Sequence, residues 1–461
     1  MSLIVPVSIT GILVIIIVLY WYRSRNLDKR LRRLSTKLSH ILRRKKNCSK
    51  TQTKELLKQL FALLQAYMDR QNSAGAYKTV DLLKLAYGEG LMRDTELTRL
   101  TALILQALDR KQFDIAGMVM DAYSPLLRTV PLDYVPQVTG HLTLIAAISL
   151  KERRNFLASK ALDHIYFIWS HGEWCENAGV VHSALRAFRI IGYLILRRRD
   201  EPFFRDISNQ FVQWSGKGCA RSMPSDLLHI LVGWMHRIVK IDDMRLFNVM
   251  EDMIARLVEQ GLFGEAAMSA WLREWQNLAG VACMNPDSSM GSLLTTQILR
   301  FGAPAEAGIP WDLAVSNVGQ TARLAISLHG LKDAFPVFYV LLNRGRILFT
   351  DQLKFSSLEH MGRSRQNDLY LITRECLTVI EFVSRSSMTS SAGDVIVELF
   401  HYWLAYPPAA SHAKSIKKFC RFLLVYWSKV RPRQAKKGMP VYDELCRPSL
   451  LSEQEQEKLG I

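Results

Sequence analysis

Four short stretches of the chain carry residue types and spacings that could do chemistry. His171-Gly172-Glu173, with Cys175 two residues on, has the H-x-E order in which an imidazole holds a zinc ion and a carboxylate shuttles protons. The Pro-Cys-x-x-Cys segment that completes such a site is missing, so the stretch reads as a polar loop between helices. His229 and His236 stand seven apart, on one face of a helix. Zinc-binding pairs on helices normally stand four apart, so these two read as core or interface histidines.

Gly88-Glu89-Gly90 lacks the third glycine of a dinucleotide loop, and Ser215-Gly216-Lys217-Gly218 lacks the upstream glycine of a phosphate loop. Both read as turns. G-x-S-x-G and H-E-x-x-H do not occur, which leaves acyl transfer and common metal hydrolysis without a site. No metal or other cofactor is expected. An enzyme with an unrecognised helical active site, centred on His171, Glu173 and Cys175, remains one alternative reading.

The elements that would position these groups begin with an anchor. Between Leu3 and Tyr22 no side chain is charged, and the run from Ile12 to Leu19 closes on Tyr20-Trp21-Tyr22. About 20 apolar residues at about 1.5 Å each cross a bilayer core of about 30 Å, and aromatic rings suit its boundary. A cleaved signal peptide would start with a basic region and end in small residues, and neither is present. A single transmembrane helix over 1–22 is therefore expected.

Formal net charge is +18, but two blocks hold the excess. The first comprises Arg23, Arg25, Lys29, Arg30, Arg32, Arg33, Lys37, Arg43, Arg44, Lys45 and Lys46, against Asp28 alone. The second runs without an acid from Lys414 through Lys417, Lys418 and Arg421 to Lys437. Residues between the blocks are nearly neutral. Cations directly behind a span resist translocation, so the short N-terminus should lie outside and the rest of the chain in the cytoplasm. Seven dispersed cysteines without a C-x-x-C pair fit a reducing compartment.

Behind the span, Leu27, Leu31, Leu34, Leu38 and Ile41 form an apolar stripe on a basic helix over 23–50. Two uses compete for it. As the seam of a parallel coiled coil it would make a homodimer, but uniformly positive flanks repel. As the buried side of a helix lying on anionic lipid it meets no such conflict.

From Thr53 onward, apolar positions recur at helical spacing in segments of 15 to 20 residues broken by polar turns. The expected class is all-α, an α-solenoid or irregular array of helical hairpins. Ala116 and Gly117 should allow close helix approach; Asp242 and Asp243 cap a helix that Gly261 stops; Asp333 and Pro336 open another that Gly345 ends. Gly140–Leu150 and Ala187–Leu196 are too short to span and read as core helix. Breakers at Asn285–Gly291 and Gly302–Pro310 divide the expected array into lobes at 51–284 and 292–437, followed by a tail at 438–461.

Lys414, Lys417, Lys418 and Arg421 share one helical face, with Ile416, Phe419, Phe422, Leu423 and Tyr426 facing inward. Its alternatives are a solvated surface, an anionic membrane or nucleic acid. Tyr426 and Trp427 are aromatic, yet no nucleic-acid recognition module accompanies them. The leading expectation is a single-pass cytoplasmic scaffold or adaptor that binds a protein partner beside the bilayer, with a tethered nucleic-acid binder as the other alternative.

Overall fold

The computed structural model describes residues 25–43, 50–88, 95–127, 130–171, 174, 176–216, 223–263, 265–285, 287–301, 311–354, 363–386 and 391–432. The expected span, Arg23, Arg44, Lys45, Lys46, Glu173, Cys175 and the tail at 438–461 lie outside these residues. Among the described residues every regular element is helical. The chain divides into two compact units, Met1–Met223 and Pro224–Ile461.

The first unit begins with α1 (residues 25–43) and α2 (Lys50–Asp69). It continues through α3 (Ser73–Gly88), α4 (Thr95–Asp109), α5 (Phe113–Asp121) and the short α6 (Tyr123–Leu127). It closes with α7 (Val135–Lys151), α8 (Asn155–Ser170), α9 (Ala178–Arg198) and α10 (Glu201–Ser215). Helices pair as hairpins, α2 with α3, α4 with α5, α7 with α8 and α9 with α10. First arms pack in one layer, α4 on α7 and α7 on α9, and second arms in another, α3 on α5, α5 on α8 and α8 on α10. Such stacking covers the apolar face that a lone hairpin leaves open.

The second unit repeats the scheme. Its helices are α11 (Pro224–Ile241), α12 (Met244–Glu259), α13 (Glu265–Ala282), α14 (Met290–Phe301), α15 (Trp311–Lys354), α16 (Arg363–Ser386), α17 (Ala392–Ala405) and α18 (Ala413–Val430). Within α15, Gly330 at φ 82° and ψ 170° breaks the helix into two arms of one hairpin. First arms again pack in series, α11 on α13, α13 on α15 and α15 on α16, while α18 packs on α15 and α17.

A repeat is visible in the turns. Gln71, Lys111, Arg153, Arg199 and Asp242 all take positive φ of 51–58°, each at the tip of a hairpin. They recur roughly every 40–46 residues, a repeat length typical of helical-hairpin arrays. Successive tips are tied together. Arg110 donates to Asp69 Oδ1 at 2.5 Å, and Gln112 Nε2 donates to the Met68 carbonyl at 2.8 Å. The Arg154 guanidinium lies 4.2 Å from the Phe113 ring centre, and Asn155 donates to Asp200 at 2.9 Å. In the second unit Ser288 donates to Asp242 at 2.6 Å. The small Gly117, expected to bring α4 and α5 together, instead meets α8 of the next repeat: a Cβ on it would lie 3.2 Å from Leu157 Cδ2.

Between the layers the cores are aromatic. In the first unit Trp169, Phe188, Phe211 and Trp214 are all fully buried, and Trp169 lies 4.3 Å from Phe188 and 5.2 Å from Trp214 between ring centres. In the second, Trp271 stacks on Trp275 at 5.1 Å. Burying one such side chain stabilises by about 2–3 kcal/mol.

Several expectations are corrected by this packing. Leu27, Leu31, Leu34 and Leu38 are buried and Ile41 is half-buried, while Asp28 accepts from the Tyr67 hydroxyl at 3.0 Å. The four leucines of the stripe on α1 are therefore already covered within the chain. Gly345 does not end a helix; it lies inside the second arm of α15, where a Cβ would come within 2.6 Å of the Phe419 ring. Its role is close packing. The breaker-rich 285–291 segment does not separate lobes, because α13 and α14 on either side of it form one hairpin, and the compact division falls at Met223/Pro224. By length and composition, Ala178–Arg198 and Trp311–Leu353 are apolar enough to cross a membrane. Both pack as arms of the array, which explains that composition.

Candidate functional site

Where stacked first arms leave one side open, the chain is free to choose residues that packing does not dictate. On α9 the inner side buries Val180, Val181, Ala184, Leu185, Phe188, Ile191, Ile195 and Leu196. Its outer side exposes His182, Arg186, Arg189, Ile190, Tyr193 and Arg197, a single helical face. Asn177 caps the start, accepting from Gly179 and Val180 backbone nitrogens at 2.9 and 3.2 Å. Arg199 in the left-handed conformation ends the helix, with Arg197 and Arg198 in its last turn, where the helix dipole favours cations.

The adjacent α7 adds Gln137, Gly140 and Leu144 to the exposed side. Leu144 and Tyr193 are each 46% exposed. Neither helix contains an aspartate or glutamate; Arg198 pairs with Asp200 at 3.5 Å beyond the helix end, whereas Lys151, Arg186, Arg189 and Arg197 find no carboxylate on their own or the neighbouring arm. Arginine, tyrosine and aliphatic side chains on one surface are the composition of protein-binding patches, and its charge selects an acidic occupant. The run at Ala187–Leu196 reads by composition as core helix alone, which hides this face. Arginines 186, 189 and 197 at i, i+3 and i+11, with no acid nearby, were the available signal.

Two further basic surfaces are present. On α1, Arg25, Lys29, Arg30, Arg32, Arg33, Lys37 and Arg43 are all exposed. On α18, Lys414 is exposed and Lys417, Lys418 and Arg421 are half-buried, while Ile416, Phe419, Phe422 and Leu423 are buried beneath them. Trp427 is buried too, which removes it as a platform for stacking bases.

The residues singled out for metal or acid–base chemistry are not brought together. His171 packs between Phe167 and Trp174, with ring centres at 5.4 and 4.9 Å, and its companions Glu173 and Cys175 lie outside the described residues. His229 and His236 are exposed on α11 rather than in the core. Among the described residues, no group of three or more His, Cys, Asp or Glu could hold a metal ion. Gly88 ends α3 and Ser215 ends α10, so both glycine motifs begin at turns.

One constellation the spacing did not reveal is Cys283, His329 and Asp333, which line a single cavity of about 30 Å³. Its resemblance to a thiol–imidazole–carboxylate triad fails on three counts. The His329 Nε2 is engaged by the backbone carbonyl of Cys283 at 2.7 Å, burial pushes the thiol up to about 11, and the space holds about one water. It is another tie between hairpin tips. In the first unit, Tyr123, Thr101, His141 and the Leu97 carbonyl form a polar cluster between helices, with Tyr123 donating to Leu97 at 3.2 Å. Burial raises Tyr123 to about 12 and lowers His141.

No family model matches the chain, and no curated protein matches it. Among solved structures, a circular tandem repeat protein with novel repeat topology and enhanced subunit contact surfaces aligns with 90% of this chain and 98% of its own, at 14% identity and a TM-score of 0.26. The crystal structure of SYS-1 aligns with 95% of this chain and 91% of its own, at 10% identity and a TM-score of 0.25. At these scores neither similarity bears on fold or function, and the helical array rests on the chain's own packing.

Proposed function

We propose that the chain is a membrane-tethered helical scaffold that docks an acidic segment of a protein partner on the outer face of α7 and α9. The observation carrying this reading is the pairing of two neighbouring arms without a carboxylate, whose exposed sides combine Arg186, Arg189 and Arg197 with Leu144, Ile190 and Tyr193. The tether is the uncharged Leu3–Tyr22 stretch, with the N-terminus outside and the array in the cytoplasm. Exposed cations on α1, and Lys414, Lys417, Lys418 and Arg421 on α18, would attract anionic lipid at about 1 kcal/mol each near the surface.

A photo-crosslinking residue at Tyr193 in the full-length protein, activated in intact cells, tests the docking face. Expected is an adduct whose mapped partner segment is acidic, abolished by Arg186→Glu with Arg189→Glu and retained with Arg273→Glu on α13. No adduct, or one insensitive to the charge reversal, defeats the reading. Release of the full-length chain by alkaline carbonate would defeat the tether separately.

A further inference from the structure

A cavity of about 870 Å³ lies between α1 and α2, the size of a small-molecule site. The two helices run antiparallel. At one end Tyr67 donates to Asp28 and the leucines of α1 are buried; toward the other, residues of both helices line the cavity. One wall is a single face of α1, with Arg33, Thr36, Lys37, His40 and Ile41 at helical spacing. The opposite wall is a single face of α2, with Thr51, Gln52, Glu55, Leu56 and Gln59. The two walls differ in chemistry.

On the α1 wall two permanent cations and an imidazole stand within two turns, and a phosphate oxygen is the anion such groups hold best. On the α2 wall Gln59 Nε2 donates to Glu55 Oε1 at 3.0 Å, which orients the carboxylate and leaves its second oxygen to accept from a hydroxyl. Leu56 and Ile41 give the space an apolar floor. A free phosphate would leave that floor and most of the volume empty. We propose that this cavity binds an anionic amphiphile: a phosphorylated, hydroxyl-bearing headgroup held by Arg33, Lys37 and His40 and by Glu55, with an apolar chain along Ile41 and Leu56. This deepens the lipid contact proposed for Arg33 and Lys37, although binding of a soluble short-chain ligand can be read whether or not the chain is anchored.

The test uses full-length protein in non-ionic detergent, titrated with dihexanoyl-phosphatidylglycerol and followed by native mass spectrometry. Expected is one saturable equivalent, weakened about tenfold or more by Arg33→Ala with Lys37→Ala, and less than about twofold by Arg30→Ala with Arg32→Ala. The second pair removes as many exposed α1 cations but does not line the cavity. Dihexanoyl-phosphatidylcholine and inorganic phosphate should each bind at least about tenfold more weakly. Absence of saturation, or equal losses from both alanine pairs, would overturn the site in favour of diffuse surface charge. Inorganic phosphate binding as tightly as the lipid would overturn the amphiphile class. Carbonate release of the chain, by contrast, would remove the tether and leave this result standing.

Discussion

The outer faces of α7 and α9 in the first unit and of α13 and α15 in the second come from the same construction, yet they carry different chemistry. On α7 and α9 the exposed cations meet no carboxylate. On α13, exposed Arg273 sits beside exposed Glu274, and Gln276 donates to Gln320 of α15 at 2.6 Å, so polar groups there satisfy one another. Val281, Leu324 and Leu328 are exposed by 39–47%, and a Cβ on Gly280 would lie 3.1 Å from Leu324 Cδ2. The comparison separates two kinds of position. Inner residues answer to packing and look alike in both units, whereas outer residues are free to vary and carry what distinguishes one surface from another.

The largest effect should come from the inner side. Trp214→Ala and Trp271→Ala should each cost about 3–5 kcal/mol, because a fully buried indole leaves a cavity its neighbours cannot fill. Hydrogen exchange should show lost protection in α8–α10 for the first and in α13–α15 for the second. Protection lost equally across both units would break the division drawn here.

Next in size is the cap that starts the candidate face. Asn177→Ala should cost about 1 kcal/mol and fray the first turn of α9, while Asn177→Asp should restore most of it. Chemical denaturation reads both. If the alanine variant matched the parent, the α9 face would not depend on that cap.

A pH dependence should follow in the first unit. Burial lowers His164 and His141, and the neutral ring is the form the fold prefers. As pH falls through about 6.5 the unfolded chain takes up protons first, so stability present at pH 7 should decline, down to the lowered folded values. His164 Nε2 lies 3.0 Å from the Met120 carbonyl, and His164→Gln preserves a donor there while flattening the slope. An unchanged slope would show that burial of this ring is not what titrates.

The smallest stability effect belongs to the outer face. Arg186→Ala with Arg189→Ala should alter unfolding free energy by less than about 0.5 kcal/mol, while removing the crosslink at Tyr193. A larger loss would mean that these arginines hold the array together, and the contrast between inner and outer positions would fail.

Much of the fold was legible because helical periodicity is local. The face Leu246, Phe247, Met250, Met253, Ile254, Leu257 and Val258 can be written down from spacing; the first six are buried in α12 and Val258 is half-buried. Asp243 caps that helix as expected, accepting from Arg245 and Leu246 backbone nitrogens. The repeat was harder to see, because its tips use Gln71, Lys111, Arg153 and Arg199 at positive φ where a turn would ordinarily announce itself with glycine. Ties between neighbouring hairpins hold those strained residues in place, and such ties are invisible in a linear text.

Sequence by itself determined the helical class, the apolar inner faces, the two basic blocks and the uncharged N-terminal stretch, since each depends on residue type and short-range spacing. Tertiary structure alone decided which apolar stripe was already covered, which glycine packed instead of stopping a helix, and which cations stood without a carboxylate on the next arm. Those depend on contacts between residues some forty or more positions apart, whose free energy is realised only once the hairpins have stacked.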